Sequence, residues 1–341
     1  MDLQQRTTRF CGAILVCAIL FRLLSGGLIG KLVQALSSPE TMSFLLYLET
    51  GKVVRPSQIT EIPPATTAPS EPTESTAPTE PSIAPIEPLP PELPVFSAVD
   101  AALVDLYNAC GYEPDMEVLL QKPLVWDLTS GEPTVLIVQS HGTESYAKTE
   151  GYSESSPYRT LDTDYNVVSI GEKIASELEQ YGIRAIHDTS LHDHPSYSDA
   201  YNNSRKAAQQ YLEQYPSICL ILDIHRDAVE DKEGTQLGYT IDVNGQKAAQ
   251  LMLVCGTDAS GLAHPAWQDN LALAVKLHAQ LEKNNPGICR PISFRSQRFN
   301  QDLSPGALLI EVGAAGNTRQ EALFAAELLV QAIVDLSHGT K

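Results

Sequence analysis

Basic residues are scarce. The 23 Lys and Arg stand against 42 Asp and Glu, a formal net charge of −19. Such a chain has little with which to neutralise a phosphate backbone, which excludes a nucleic-acid partner. Cysteine is sparse as well. The six, at positions 11, 17, 110, 219, 255 and 289, form no C-x-x-C pair and no zinc-finger spacing. Cys11 and Cys17 fall in an apolar N-terminal stretch, and Cys219 and Cys255 in apolar runs, so they read as small buried hydrophobes with no disulfide among them. The chain also lacks a P-loop, a G-x-G-x-x-G after a strand and a G-x-S-x-G elbow. Those absences remove nucleotide binding and serine-nucleophile chemistry from consideration.

What is present divides the chain unevenly. Phe10 to Gly30 is an apolar run of 21 residues broken by one charge, Arg22, and a helix needs roughly 20 residues to cross a bilayer. Residues 1–35 are therefore expected to be a short cytoplasmic tip and a retained transmembrane anchor. A cleaved signal peptide is the alternative, because the uninterrupted part, Phe10 to Phe21, has only 12 residues. Arg6 and Arg9 precede the run, so the positive-inside bias exports the remainder to an extracytoplasmic location at the cell membrane. Residues 36–94 are a juxtamembrane segment and linker. Its part from 61 to 94 holds 11 prolines and six glutamates with no Lys or Arg, a composition that cannot offset ordering entropy by burial. Extended at about 3.1 Å per residue, it would reach on the order of 100 Å, the length of a tether toward a cell wall.

Residues 95–131 read as a lead-in segment with a helix over Ala98–Ala109. Residues 132–341 read as the catalytic domain, in which apolar strands alternate with helices. Strands are expected at 134–140, 183–188, 218–225, 238–243, 250–256 and 307–313, and helices at 165–181, 197–215, 267–282 and 318–336. Near-continuous apolar strands between helices define an α/β class, a three-layer fold with a mostly parallel sheet covered on both faces. In such sheets, sites gather beyond the carboxyl ends of the strands.

Three of these strands run into residues with chemistry: TVLIVQS into His141, ICLILDI into His225 and ALLI into Glu311. Imidazoles and a carboxylate are what Zn²⁺ takes in open hydrolytic sites, three protein groups plus water. His141 and His225 are the leading ligands. The third is Glu144, three residues after His141, or Asp162 ahead of the 165–181 helix. Asp223 and Asp227 flank His225 at two residues on either side and can orient its ring. Arg226 faces the other way, toward a substrate carboxylate or an ion pair with Asp. Glu311 lies in an otherwise apolar strand, where burial raises a carboxyl pKa and suits a general base; its structural alternative is a salt bridge to Arg290, Arg295 or Arg298. The histidines at 187, 192 and 194 are read as loop residues without a metal.

The ordered run SHGTESY (140–146), DYNVVSIG (164–171), HDTSLHD (187–193), YNNSR (201–205), LDIHRDA (222–228), VCGTD (254–258) and NQDLSPGALLIEVGAAGNTRQEA (300–322) resembles the stage II sporulation protein P family. The resemblance covers about residues 133–336. It implies a zinc-dependent N-acetylmuramoyl-L-alanine amidase fold with added endopeptidase activity on peptidoglycan stem peptides. It further implies action in septal wall thinning and engulfment, beside a stage II sporulation protein D-like lytic transglycosylase. On this resemblance His141 and His225 are the family's histidines and Glu311 its catalytic glutamate, while the wider amidase group keeps Asp162 in contention with Glu144. Two other readings stand beside it: a carboxypeptidase-like zinc peptidase acting on stem peptides, and a wall-binding scaffold without catalysis.

Overall fold

The computed structural model describes residues 95–124 and 126–338. The expected anchor and linker lie outside the described residues. Among those described, no helix is long and apolar enough to cross a membrane.

The described residues are built around a seven-stranded sheet. In chain order its strands are β1 (Leu106–Asn108), β2 (Val135–Val138), β3 (Ala185–His187), β4 (Leu220–Asp227), β7 (Leu251–Cys255), β8 (Ile292–Phe294) and β9 (Ala307–Ala314). Their spatial order is β1-β8-β7-β9-β4-β2-β3. Every neighbouring pair is parallel except β7 with β9. Two parallel blocks therefore meet at one reversal, and the expected mostly parallel sheet is borne out. A separate antiparallel hairpin joins β5 (Thr240–Val243) to β6 (Gln246–Ala249). Of the strand expected at 238–243, Thr240–Val243 forms β5; its partner β6 lacks an apolar run to announce it. Asn244 and Gly245 between them both have positive φ, 55° and 84°, the backbone of a two-residue hairpin turn that Asn-Gly favours.

Side chains alternate across the strands, and the two faces are covered unequally. Val135, Ile137, Leu220, Leu222, Ile224, Leu308, Ile310 and Val312 enter the main core. They pack under α3 (Val168–Gln180), α5 (Trp267–Asn284) and α6 (Arg319–His338). Leu136, Val138, Ile221 and Ala307 point the other way, into a small second core with Ala208 and Ile218. That face is covered by α4 (Ala200–Gln214) and a 3₁₀ turn over Gln301–Leu303. Asp223, His225, Leu309 and Glu311 share the parity of Ile221 and Ala307, so they project from the thinly covered face.

The lead-in segment departs from its expected helix. The helix there, α1 (Ala98–Ala101), is a single turn, and Leu106–Asn108 become the edge strand β1. The backbone gains more there than in a solvated helix: Ile292 N–H donates to Asp105 O and Ala109 N–H to Phe294 O, both at 2.8 Å. A second short helix, α2 (Met116–Gln121), begins with Asp115 capping the N–H groups of Glu117 and Val118.

Gly306 opens β9 against the start of β4. A Cβ there would sit 2.0 Å from the Cys219 carbonyl oxygen, while the Gly306 carbonyl accepts from Ile221 N–H at 2.9 Å. Gly306→Ala should force β9 away from β4 and cost about 3 kcal/mol or more, read as a lowered urea midpoint; an unchanged midpoint would show that the strands approach less closely.

Candidate metal centre

The centre forms where the loop after β2 crosses the paired strands β4 and β9. That loop is tied at both ends. Ser140 donates its N–H to Asp223 Oδ1 at 2.8 Å and its hydroxyl to Asp223 Oδ2 at 2.6 Å. Tyr146 donates its hydroxyl to the Val312 carbonyl at 2.9 Å. Between these ties Glu144 N–H donates to His141 O at 3.0 Å, closing a turn that brings side chains three residues apart to one place.

His141, Glu144 and His225 converge there. One donor atom from each lies within 4.8 Å of the others. His141 Nδ1 is 3.5 Å from Glu144 Oε1, and His225 Nδ1 is 3.4 Å from Glu144 Oε2. These gaps are long for hydrogen bonds. They match the spacing of about 3.3 Å between tetrahedral ligands that each stand about 2.0–2.1 Å from one ion. Among the described residues this is the one His/Cys/Asp/Glu group so arranged. The donor set is that of an open zinc site, and the residues fit the ion.

Support for the centre lies one contact further out. His225 Nε2, the ring nitrogen turned from Glu144, lies 3.0 Å from Asp223 Oδ1, off the line of a well-aligned hydrogen bond. Burial would push the His225 imidazole down, but Asp223 and Glu144 hold it well above its ordinary value. Burial likewise works against an ionised Glu144, yet His141, His225 and Arg226 hold its carboxyl well below the usual range. The histidines and Arg226 balance this carboxylate; a dication held by the three residues would take over that role.

Glu311 pairs in register with His225 across β9 and β4. One of its carboxyl oxygens is buried with no hydrogen-bond partner. Burial, against the pull of His225 and with repulsion from Glu144 and Asp227, pushes this carboxyl up to about 8. Neither Arg290, Arg295 nor Arg298 pairs with it. Arg290 bonds Asp227 at 2.7 Å, Arg295 turns to Ser293 and Arg298 to Asp302. An open cavity of about 290 Å³ spreads in front, reached by His141, Glu144, Tyr201, His225, Arg295 and Glu311.

The other expected residues fall into place or fall away. Asp162 is exposed and accepts the N–H of Asp164, so it stands outside the centre and Glu144 is the carboxylate within it. Asp227 is committed to Arg290 rather than to His225, because the register shifts between His225 and Asp227. Arg226 is buried and donates to the carbonyls of Ser145 and Tyr158, which makes it a strut for the loop and not a hand for substrate. His225 and Glu311 lie inside their strands rather than at the ends, and His141 lies three residues past β2. His187 contacts Glu172 and Gln139, His192 contacts Asp188, and His194 is exposed.

Several contributors were missed from sequence. Arg159 donates to Asp193 at 2.7 Å and lies 3.5 Å from Glu144, while Asp193 accepts from Thr143. Tyr197 stacks on His141 at 4.6 Å, and the Tyr201 ring meets the same imidazole edge-on at 5.4 Å. Tyr201 and Asp193 lie within motifs that carry the family resemblance; Arg159 had no local signal.

These features define a class: an α/β protein whose sheet carries a two-histidine, one-glutamate cluster beside a partnerless buried carboxyl. The stage II sporulation protein P family model matches residues 62–334, and the chain belongs to that family. Stage II sporulation protein P of Bacillus subtilis (strain 168) is 27% identical over 204 residues, 57% of this chain and 48% of that protein. The chain thus spans about half the length of this curated relative. Among solved structures it is similar to N-acetylmuramoyl-L-alanine amidase AmiC2 of Nostoc punctiforme, at 15% identity and TM-score 0.36 over 59% of this chain and 96% of that one. It is also similar to the N-acetylmuramoyl-L-alanine amidase of Clostridium difficile 630, at 14% identity and TM-score 0.36 over 62% and 100%.

Asp223→Asn should weaken zinc binding roughly 10- to 100-fold, the usual cost of losing a ligand's outer partner. Asp162→Ala should leave it unchanged. Competition with a chromogenic chelator measures both, and a matching loss in the two variants would return Asp162 to the centre.

The loop that carries Asp193 has its own pH signature. Burial would raise the Asp188 carboxyl, but His192, at 3.0 Å, and Ser190 hold it down at about 2. A folded pKa below the unfolded one adds stability above about pH 4, lost as pH falls toward 2. Asp188→Asn should therefore be less stable at pH 7 by on the order of 1 kcal/mol, solvent screening included. Urea midpoints of the two proteins should converge by pH 2; a gap independent of pH would remove ionisation from the account.

Proposed function

We propose that the chain is a zinc-dependent peptidoglycan hydrolase of sporulation, an N-acetylmuramoyl-L-alanine amidase that cuts the lactyl–L-alanine bond and has endopeptidase activity on stem peptides. The observation that carries the reading is the convergence of His141, Glu144 and His225 with Glu311 in register beside His225. Membership of the family supports the sporulation setting.

The three ligands would hold the ion, which when bound polarises a carbonyl and makes water a stronger acid near neutral pH. The remaining chemistry belongs to the chain. Asp223 fixes the ring of His225, so that Nδ1 faces Glu144 and the cavity. Glu311 sits where a carboxyl can hold a proton near neutrality, and a dication beside it would draw it toward the ionised form. In that form it takes the proton of an attacking water. It then returns the proton to the departing amine nitrogen, which must be neutralised before the C–N bond breaks. Tyr201, its pKa raised by burial and by nearby carboxylates, keeps its hydroxyl proton and can donate to an oxygen in the cavity.

Within the same reading, residues 10–30 anchor the chain in the cell membrane and 61–94 tether the extracytoplasmic domain within reach of wall. The setting is septal thinning and engulfment, with a stage II sporulation protein D-like transglycosylase as partner. The apolar run and the proline-rich composition support the first two.

Purified peptidoglycan digested with the zinc-loaded full chain should release stem peptides with new L-alanine amino termini. Glu311→Gln should cut the rate by a factor of about 100 or more while zinc stays bound. Cleavage confined to bonds within stem peptides would overturn the amidase in favour of the peptidase, and undiminished lysis by Glu311→Gln would overturn catalysis by this site.

A further inference from the structure

We infer that Arg295 is a specificity residue of the proposed site, one that binds a free carboxylate on the peptide portion of the substrate. This rests on the peptidoglycan reading and names which chemical form of the peptide the site prefers.

The argument begins with the sheet. Val254 pairs with Leu309 of β9 and with Ser293 of β8, so the three side chains share the face that carries Glu311. Arg295, two residues beyond Ser293, continues on that face, and its N–H donates to the Cys255 carbonyl at 2.8 Å in extension of the ladder. Two strand spacings and about four residues separate it from Glu311, on the order of 15 Å between Cα atoms. Arg295 Nε donates to Ser293 Oγ at 2.7 Å, which leans the side chain back along the cavity. The guanidinium lies over the Tyr107 ring of β1 at 5.7 Å.

With Nε engaged, the outer pair of nitrogens remains, and this is the edge that grips a carboxylate with two parallel hydrogen bonds. Among the described residues no carboxylate lies within salt-bridge distance of it. The other arginine lining the cavity, Arg226, is spent on two carbonyls and Glu144, and Arg290, outside the lining, on Asp227. The cavity is otherwise acidic, with Glu144, Asp227 and Glu311 on its walls, in a chain of net charge −19. A peptide bearing free carboxylates would be repelled on approach. A tied but unpaired guanidinium at the flank of the cavity reverses that repulsion at one point, several bonds from where Glu311 acts. It therefore selects the peptide without entering the chemistry.

Titration calorimetry would test this on the zinc-loaded full chain carrying Glu311→Gln, with a soluble muramyl stem peptide in free-carboxylate and amidated forms. The free acid should bind more tightly. Adding Arg295→Gln should weaken the free acid by roughly tenfold or more, leave the amidated form within twofold, and so abolish the preference; Arg295→Lys should restore part of it. Equal losses for both forms, no loss for either, or no binding of either peptide by the parent would overturn the assignment. Hydrolysis of wall by the wild-type chain is read separately, so failure of the hydrolase reading is distinguishable from failure at Arg295.

Discussion

The pairing of β4 with β9 is the constraint on which the centre depends. Residues far apart in sequence, His225 and Glu311, become neighbours because two apolar strands lie side by side in parallel register. Gly306 permits the close approach at their start, and the shift after His225 ends the regular ladder once both groups are in place. The loop from β2 is then fastened to the pair, by Ser140 to Asp223 on one strand and by Tyr146 to Val312 on the other. His141 and Glu144 are thus placed relative to both strands by hydrogen bonds, with Tyr197 stacked on the His141 ring.

A second constraint is electrostatic. Glu144, Asp223 and Glu311 are brought close together on one face, and three ionised carboxylates there would repel at low local dielectric. The structure resolves the conflict unequally. Asp223 accepts two hydrogen bonds from Ser140 and faces an imidazole, and burial is overcome to leave its carboxyl below the usual range. Glu144 is encircled by two imidazoles and two guanidinium groups. Glu311 receives nothing at its inner oxygen and holds its proton up to about 8. Neighbouring carboxyls with such divergent surroundings are the usual basis for dividing ligand and acid–base roles.

Much of this was legible in the sequence, and the parts that were not share a cause. Apolar runs of four or more residues announced β2, β4, β7 and β9, and polar residues set into such runs marked His225 and Glu311. Three-residue strands such as β1 and β8 carry too little periodicity to register, and they arise by pairing, β8 on the edge of β7 and β1 on the edge of β8. The choice between Glu144 and Asp162 turned on a loop closing through one Glu144 N–H to His141 O bond, which spacing could not favour over an N-terminal helix position. Alternation turned Arg226 from His225, yet said nothing of the Ser145 and Tyr158 carbonyls it meets or of the Glu144 carboxylate 3.7 Å away. Asp227 was misjudged for the converse reason: strict alternation fails at the register shift beside it.

The reversal between β7 and β9 gives the site its second wall. In a wholly parallel sheet, chemistry gathers at one edge, where all the strands end together. Here β7 and β8 run opposite to β9, so Met252 stands beside Glu311 while the chain leaving β8 reaches the far side of the same cavity with Arg295. The sheet floor is shared, but its contributors arrive from both directions. The helices on this face stop at α4, whose small core covers β2 and the start of β4, while the turn over Gln301–Leu303 covers the start of β9. Arg295 and Glu311 thus line one cavity although their strands run in opposite directions.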